Sequence, residues 1–256
     1  MTKLQERNRA GLKLLRTGGG TRGLLSAEGH RAGQGGTLRA AVFGINDGLV
    51  SNISLVMGVA GAGTDSRFVL LAGLSGLLAG AFSMAAGEYV SMSAQREVFE
   101  AQIAFEQREL ADDPQGELAE LTQIYRAKGL PEAQAATLAA SMMADPRIAL
   151  DTHAREELGL DPDELGSPWG AAFSSFGAFV VGAIIPVIPY IIFGNPTAFW
   201  ASVLLSALAL FIVGVLLTTF TGRNWLYSGL RMMLIGTLAA GVTYLVGRLI
   251  GVSVTG

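Results

Sequence analysis

Between Glu164 and Arg223 the sequence contains no charged residue, and this feature limits the possible folds more than any other. About 20 apolar residues are enough to cross the hydrocarbon core of a bilayer as a helix, so the uncharged stretch has room for two such helices. Half of all residues are hydrophobic and only 15% are charged, which is too apolar for an ordinary soluble domain. The sequence therefore predicts an all-α membrane protein.

Five apolar segments predict five transmembrane helices, with a polar insert between the second and the third. Their predicted bounds are residues 38–62, 68–93, 169–193, 197–221 and 230–252. The domains follow as a flexible basic tail (1–37), transmembrane helices one and two (38–94), an acidic helical insert (95–165) and transmembrane helices three to five (166–256). Pro186 and Pro189 predict a kink or an unwound segment within the third span, which is tolerated where backbone packs against protein or lines a cavity.

Positive charge predicts the orientation in the membrane, because Lys and Arg in short flanking segments mark the cytosolic side. The N-terminal tail is basic, and the link before the fifth span carries Arg223 and Arg231. Five spans place these segments and the insert on one side, so we expect a cytosolic N-terminus and a cytosolic insert. The Ala-, Gly- and Arg-rich composition without an organellar signal favours a bacterial inner membrane.

An acidic residue lies inside the first predicted span, and a methionine lies inside the second. Asp47 is about nine residues from the start of its helix, or roughly 14 Å in, and Met84 is about as far from the end of its own. The two side chains should meet at similar depth on antiparallel helices, with Glu88 one turn nearer the exit on the face of Met84. A carboxylate in a bilayer indicates an ion pathway, and its pairing with a thioether suits a transition metal.

A polar stripe extends from this carboxylate along the first span, where Ser51, Ser54 and Gly58 share the face of Asp47. The stripe is compatible with conduction of a partly hydrated ion, or with hydrogen bonds that pack helices together. Gly76 and Gly80 in the second span form a small-residue pair that lets backbones approach closely, within one chain or across a dimer.

The insert carries two pairs of glutamates at i,i+3 spacing, which places both carboxylates of a pair on one helical face. The pairs are Glu106 with Glu109 and Glu117 with Glu120. The Asp112-Asp113-Pro114 break lets the second helix fold back, so four carboxylates would converge on a divalent cation. Met142 and Met143, beside Asp145, would add soft ligands. Glu-rich helices are also common as plain soluble surface, and the spacing alone leaves that alternative open.

The lack of cysteine and the small number of histidines limit the kinds of metal site that the chain can form. There is no cysteine, which excludes disulfides and thiolate sites. His30 and His153 are the only histidines, which argues against a His-rich zinc or copper site. His153, with Glu156 and Glu157 a turn later, is compatible with a ligand set, but we expect it to be a surface residue. The sequence gives no indication of an organic cofactor or of nucleic-acid binding.

Four segments resemble the vacuolar iron transporter family, a resemblance that covers the chain from residue 38 onward. They are LRAAVFGINDGLVSNISLVMGVAGA, GLLAGAFSMAAGEYVSMSAQRE, ELAELTQIYRAKGL and AAFSSFGAFVVGAIIPVIPY. The resemblance implies five transmembrane helices, a homodimer with the translocation path at its interface, and a cytosolic metal-binding insert. It also implies export of Fe(II) and Mn(II) in exchange for protons.

The resemblance also assigns roles by position. Asp47 and Met84 correspond to intramembrane metal ligands, and Glu88 lies in a matching context in the second span. The ligands implied for the insert are Glu106, Glu109, Glu117, Glu120, Met142 and Met143. Where the family pattern has a further glutamate after the methionines this chain has Pro146, which leaves Asp145 as the substitute.

Two alternatives from other classes were weighed against a transporter. A membrane-anchored di-iron carboxylate oxidase would combine Glu with two Glu-x-x-His motifs, and the insert has none. A metal-sensing membrane scaffold would need no carboxylate inside the bilayer. We therefore expect a transporter and not an enzyme, with the metal ion as its substrate.

Overall fold

The structure, a computed structural model, describes residues 32–218 and 222–255. Within these ranges the chain forms helices joined by turns, and no strand occurs. The helices are α1 (Ala32–Gly61), α2 (Ser66–Asp112), α3 (Pro114–Ala127), α4 (Glu132–Met142), α5 (Pro146–His153), α6 (Pro168–Ile184), α7 (Ile188–Ile192), α8 (Thr197–Leu216) and α9 (Trp225–Thr255). A π-helical turn, Ala154–Leu158, follows α5. Residues 1–31, which hold most of the predicted basic tail, lie outside the described ranges.

The helices group into two compact units. Of the described residues, the membrane unit comprises those within 35–94 and 167–255, and the insert unit comprises 95–166 together with 32–34 at the start of α1. Helix α2 contributes to both units, because it continues without a break for 47 residues. The helix of the second predicted span therefore continues into the insert as far as Asp112.

The proline-containing break in the third apolar segment is confirmed. Helix α6 ends at Ile184 and α7 begins at Ile188, with Pro186 between them. The break frees backbone carbonyls that a continuous helix would use, and the buried Ser202 hydroxyl of α8 donates a 2.7 Å hydrogen bond to the carbonyl of Pro186. A buried irregular segment is stable only when such groups find partners.

Three described helices are long and apolar enough to cross a membrane: Ser66–Asp112, Thr197–Leu216 and Trp225–Gly251. The helix Pro168–Ile184 is apolar but shorter, because the proline break ends it early. Helix α8 shows the pattern of a lipid-facing helix, since Ser202, Ser206 and Gly214 are buried while Leu204 and Leu208 are 68% and 56% exposed. Small residues inside and large apolar residues outside are the arrangement that a bilayer favours.

Glycines bring α1 into direct backbone contact with two other helices of the membrane unit. A Cβ atom on Gly48 would clash with the carbonyl oxygen of Phe179 in α6, and one on Gly182 would clash with that of Ile45. At the other end of α1, a Cβ on Gly247 of α9 would clash with the carbonyl oxygen of Gly58. The membrane unit therefore depends on positions where no side chain fits.

We expect Gly182→Ala to destabilise the membrane unit by about 1–3 kcal/mol, the range for overpacking a tight core. The matched control is Gly177→Ala on the same helix, since a Cβ there meets nothing within 4 Å. That control should be neutral, or more stable by up to about 1 kcal/mol because Ala favours helix. Thermal unfolding of the full chain in detergent measures both, and equal midpoints would contradict the packing described here.

Candidate metal sites

A buried stripe on α3 places a carboxylate inside the insert unit. Glu117, Leu121 and Tyr125 follow one another at i,i+4 spacing, and all three are buried. Leu121 and Tyr125 pack against Ala135 and Ala139 of α4. Glu117 therefore occupies the end of an apolar face, where an ionised group needs a partner.

Local capping sets the start of α3 and so the position of Glu117. The Asp113 side chain accepts a 3.0 Å hydrogen bond from the N–H of Gly116, and Pro114 occupies the first helical position. These features end α2 at Asp112 and start a new helix at once. Glu106, near the end of α2, is 2% exposed.

The π-helical turn supplies the other side of the cluster. His153 is the last residue of α5, and Glu157 lies four residues later within the turn Ala154–Leu158. Gly159 ends the turn with φ of 69°, a left-handed conformation that glycine adopts without strain. Single π-helical turns are frequent at functional sites.

These elements bring one imidazole and three carboxylates together. His153 Nδ1 lies 3.0 Å from Glu106 Oε1, 3.5 Å from Glu117 Oε2 and 3.5 Å from Glu157 Oε2. One ligand atom from each of the four residues lies within 4.8 Å of every other. His153 is fully buried, and Glu106 and Glu117 are almost so. We call Glu106, Glu117, His153 and Glu157 the insert cluster.

Several polar atoms of the insert cluster are buried without a hydrogen bond that satisfies normal geometry. They are both ring nitrogens of His153, Glu106 Oε1 and Glu157 Oε2. A buried polar group without a partner costs about 1–3 kcal/mol, and more when it is charged. An ion bound among the four side chains would satisfy one ring nitrogen of His153 together with the two carboxylate oxygens, each residue offering one ligand atom.

Electrostatics in the cluster favour a bound cation. Burial, together with the carboxylates of Glu106 and Glu157, raises the pKa of Glu117 to about 7, although His153 partly opposes this. Burial lowers the pKa of His153, but hydrogen bonding and charge from Glu106 and Glu157 raise it by more. The net effect is a pKa of about 9. Three carboxylates in one buried space repel one another, and a divalent cation relieves that repulsion.

The donor set of the insert cluster limits which ion fits. Carboxylate oxygens and one imidazole suit Fe(II), Mn(II) and Zn(II), whereas Mg²⁺ and Ca²⁺ are held by oxygen ligands.

The structure brings together only part of the ligand set expected in the insert. Glu109 and Glu120 are half-buried and lie outside the four-residue cluster, although Glu109 is near enough to raise the pKa of Glu117. Met142 and Met143 pack against the hydrophobic cluster around Leu121. Asp145 is exposed, and its side chain accepts a 2.8 Å hydrogen bond from the N–H of Arg147 as the cap of α5.

The expectation that His153 is a surface residue is wrong. The side chain is fully buried at the centre of the cluster. A signal for this was present in the sequence, because Ala149, His153 and Glu157 recur at i,i+4 spacing and so follow one helical face.

A second candidate site is a pocket in the membrane unit, with a cavity volume of about 320 Å³. It lies among α1, α2 and α6, and both Asp47 and Met84 line it. The full lining is Asp47, Ser51, Asn52, Leu55, Gly76, Gly80, Ser83, Met84 and Phe179. A carboxylate and a thioether thus share one cavity, as their depths in the two predicted spans indicate.

Glu88 and two residues of the predicted polar stripe, Ser54 and Gly58, are not in this lining. Glu88 is half-buried, and Gly58 packs against Thr243 and Gly247 of α9. The Ser54 hydroxyl donates to the carbonyl of Val50 within α1. The polar stripe thus contributes Asp47 and Ser51 to the pocket, while Gly58 serves helix packing.

The small residues of α2 shape the pocket within a single chain. A Cβ on Gly76 would clash with the tip of Leu55, and one on Gly80 would clash with the ring of Phe179. These two side chains therefore lie directly against the backbone of α2.

Residues 38–248 match the sequence model of the VIT family. The chain is 36% identical over 232 residues to a vacuolar iron transporter of Acanthamoeba castellanii, covering 88% of this chain and 84% of the relative. It is 30% identical over 217 residues to vacuolar iron transporter 1 of Arabidopsis thaliana, covering 84% and 87%.

In the part of the chain that the structure describes, long apolar helices with lipid-facing side chains define an integral membrane protein. The match over most of its length shows that the chain belongs to the VIT family. It is therefore a transporter and not an enzyme, which excludes the di-iron oxidase alternative. The relatives named above are eukaryotic, so they give no support to the expected bacterial inner membrane.

Proposed function

We propose that the chain exports divalent transition-metal ions, Fe(II) and Mn(II), from the cytosol in exchange for protons. The observation that carries the proposal is the membrane pocket lined by both Asp47 and Met84. Two similar proteins are named vacuolar iron transporters, which supports iron as the substrate.

In this proposal the pocket holds the ion through an oxygen of Asp47 and the sulfur of Met84. A carboxylate that gains a proton loses its charge and much of its affinity for a cation. Protons that enter from the far side and reach Asp47 or Glu88 would release the ion, which couples the two fluxes.

The insert, residues 95–165, serves in this proposal as a cytosolic metal-binding domain. Its support is the insert cluster, where four potential metal-ligand atoms lie close together. Several buried nitrogen and oxygen atoms of the cluster lack a hydrogen bond of normal geometry. Metal held there would raise the local concentration of the substrate.

The proposed topology has five transmembrane helices, formed by α1, the first part of α2, α6 with α7, α8 and α9. The N-terminus and the insert are cytosolic, and two copies form a homodimer with the path at their interface. These assignments rest on the charge pattern of the sequence and on the family resemblance.

Uptake of metal by proteoliposomes that contain the full chain tests this function. We expect Fe(II) and Mn(II) to enter the vesicles when the proton gradient is directed outward, with protons leaving in return. The metal flux should fall when that gradient is collapsed. Parallel assays with Zn(II) and Co(II) define selectivity. Metal binding without any flux would overturn the proposal and favour a metal-sensing scaffold.

A further inference from the structure

Asn52 is the most deeply buried polar side chain of the membrane pocket. It is 2% exposed and lies one residue after Ser51, on the side of α1 that faces α2 and α6. Its side-chain amide donates two hydrogen bonds, of 3.2 Å to the carbonyl of Gly73 in α2 and of 2.6 Å to the carbonyl of Ala183 in α6.

These two bonds determine which way the amide points. Both partners are carbonyl oxygens, which only accept, so the NH₂ group of Asn52 must face them. The side-chain oxygen, Oδ1, is then held on the opposite side without freedom to turn. It is buried and has no hydrogen-bonding partner.

The unpartnered oxygen faces the wall of the pocket formed by Gly76. A Cβ atom on Gly76 would come within 2.9 Å of Asn52 Oδ1, and both residues line the cavity that Asp47 and Met84 share. A buried carbonyl oxygen without a donor is unfavourable, so its position needs an explanation. A cation in the pocket would supply one, since neutral amide oxygens are common ligands of divalent ions.

We propose that Asn52 is a metal-binding residue of the membrane pocket and supplies a neutral, fixed oxygen beside the carboxylate of Asp47 and the thioether of Met84. This inference rests on the proposed function, because it assigns a further ligand to the same site. A neutral oxygen adds coordination without adding charge, so the ion is bound firmly enough to enter the pocket and weakly enough to leave.

Two substitutions at Asn52 separate binding from packing. Asn52→Ala and Asn52→Asp both lose the amide that donates to Gly73 and Ala183, so they share the structural defect. They differ in the oxygen, which the first removes and the second makes negative. The matched control is Ser202→Ala, which removes a different buried interhelical hydrogen bond of the membrane unit, the one to Pro186.

The readout is the KM for Mn(II) in proteoliposome uptake, with thermal unfolding measured in parallel. We expect Asn52→Ala to raise KM about tenfold, the scale seen when a group that supports a metal site is removed. We expect the KM of Asn52→Asp to be lower than that of Asn52→Ala. Its added negative charge should also slow release of the metal ion, so that the maximal rate of uptake falls. Ser202→Ala should leave KM unchanged whatever its effect on stability.

Equal KM values for Asn52→Ala, Asn52→Asp and the wild type would overturn the inference and leave Asn52 as a packing residue. If one variant fails to fold, the other is compared with the wild type and Ser202→Ala, and an unchanged KM overturns the inference equally. A wild-type protein that carries no metal would instead defeat the proposed function, so the two failures are distinguishable.

Discussion

We expect Asp47→Ala to reduce metal uptake by proteoliposomes roughly a hundredfold or more. A hundredfold loss corresponds to about 2.7 kcal/mol, because each 1.36 kcal/mol of barrier is about a factor of ten in rate. Asp47 is the acidic residue that lines the membrane pocket, so no other side chain of the lining replaces its charge.

The control for this experiment is Asp65→Asn, which removes an exposed carboxylate from the same unit outside the pocket lining. We expect its flux to equal that of the wild type. Asp47→Asn adds a second comparison, because it keeps the size of the side chain and removes only its charge. Undiminished uptake by Asp47→Ala would refute the membrane site.

The second large effect is expected in the insert cluster, where His153→Ala removes the imidazole from the centre of three carboxylates. Without metal, the buried carboxylates lose their positive neighbour, and we expect the insert to lose about 3–5 kcal/mol of stability. Affinity for Mn(II) should fall by at least about tenfold, since loss of supporting groups alone costs 10–100-fold.

Mn(II) binding to the full chain in detergent, measured by calorimetry, tests this prediction. Met143→Leu is the matched control, because Met143 packs against the hydrophobic cluster of the insert and Leu keeps its volume. Glu157→Gln, of nearly identical shape, gives a second variant in which unfolding is less of a concern. Retained affinity in His153→Ala together with lost affinity in Met143→Leu would return the ligand role to the methionine.

The shared pocket of Asp47 and Met84 was predictable because regular helices convert residue number into depth. Two antiparallel helices joined by a short link place residues at equal distance from their outer ends opposite each other, and Asp47 and Met84 line the same cavity. The break near Pro186 was predictable for a separate, local reason, because proline interrupts a helix.

The centre of the insert cluster was not predictable in this way. Glu106, Glu117 and His153 come from α2, α3 and α5, and the burial of His153 depends on how these helices pack. Sequence proximity instead favoured Met142 and Met143, which belong to the hydrophobic cluster. Glu106 and Glu117 were among the predicted ligands, whereas a stricter use of helical periodicity would have added His153 and Glu157, because they continue the face of the buried Ala149.

The glycine contacts of α1 determine which wall of the membrane pocket is able to yield. Where Gly48 and Gly182 let α1 and α6 touch through their main chains, no rotamer change is available to absorb a displacement. Helix α2 meets these two helices through side chains instead, because Gly76 and Gly80 lie against the tip of Leu55 in α1 and the ring of Phe179 in α6. If the pocket adjusts to an ion, we therefore expect α2 to shift more readily than α1 and α6, which hold each other through direct backbone contact.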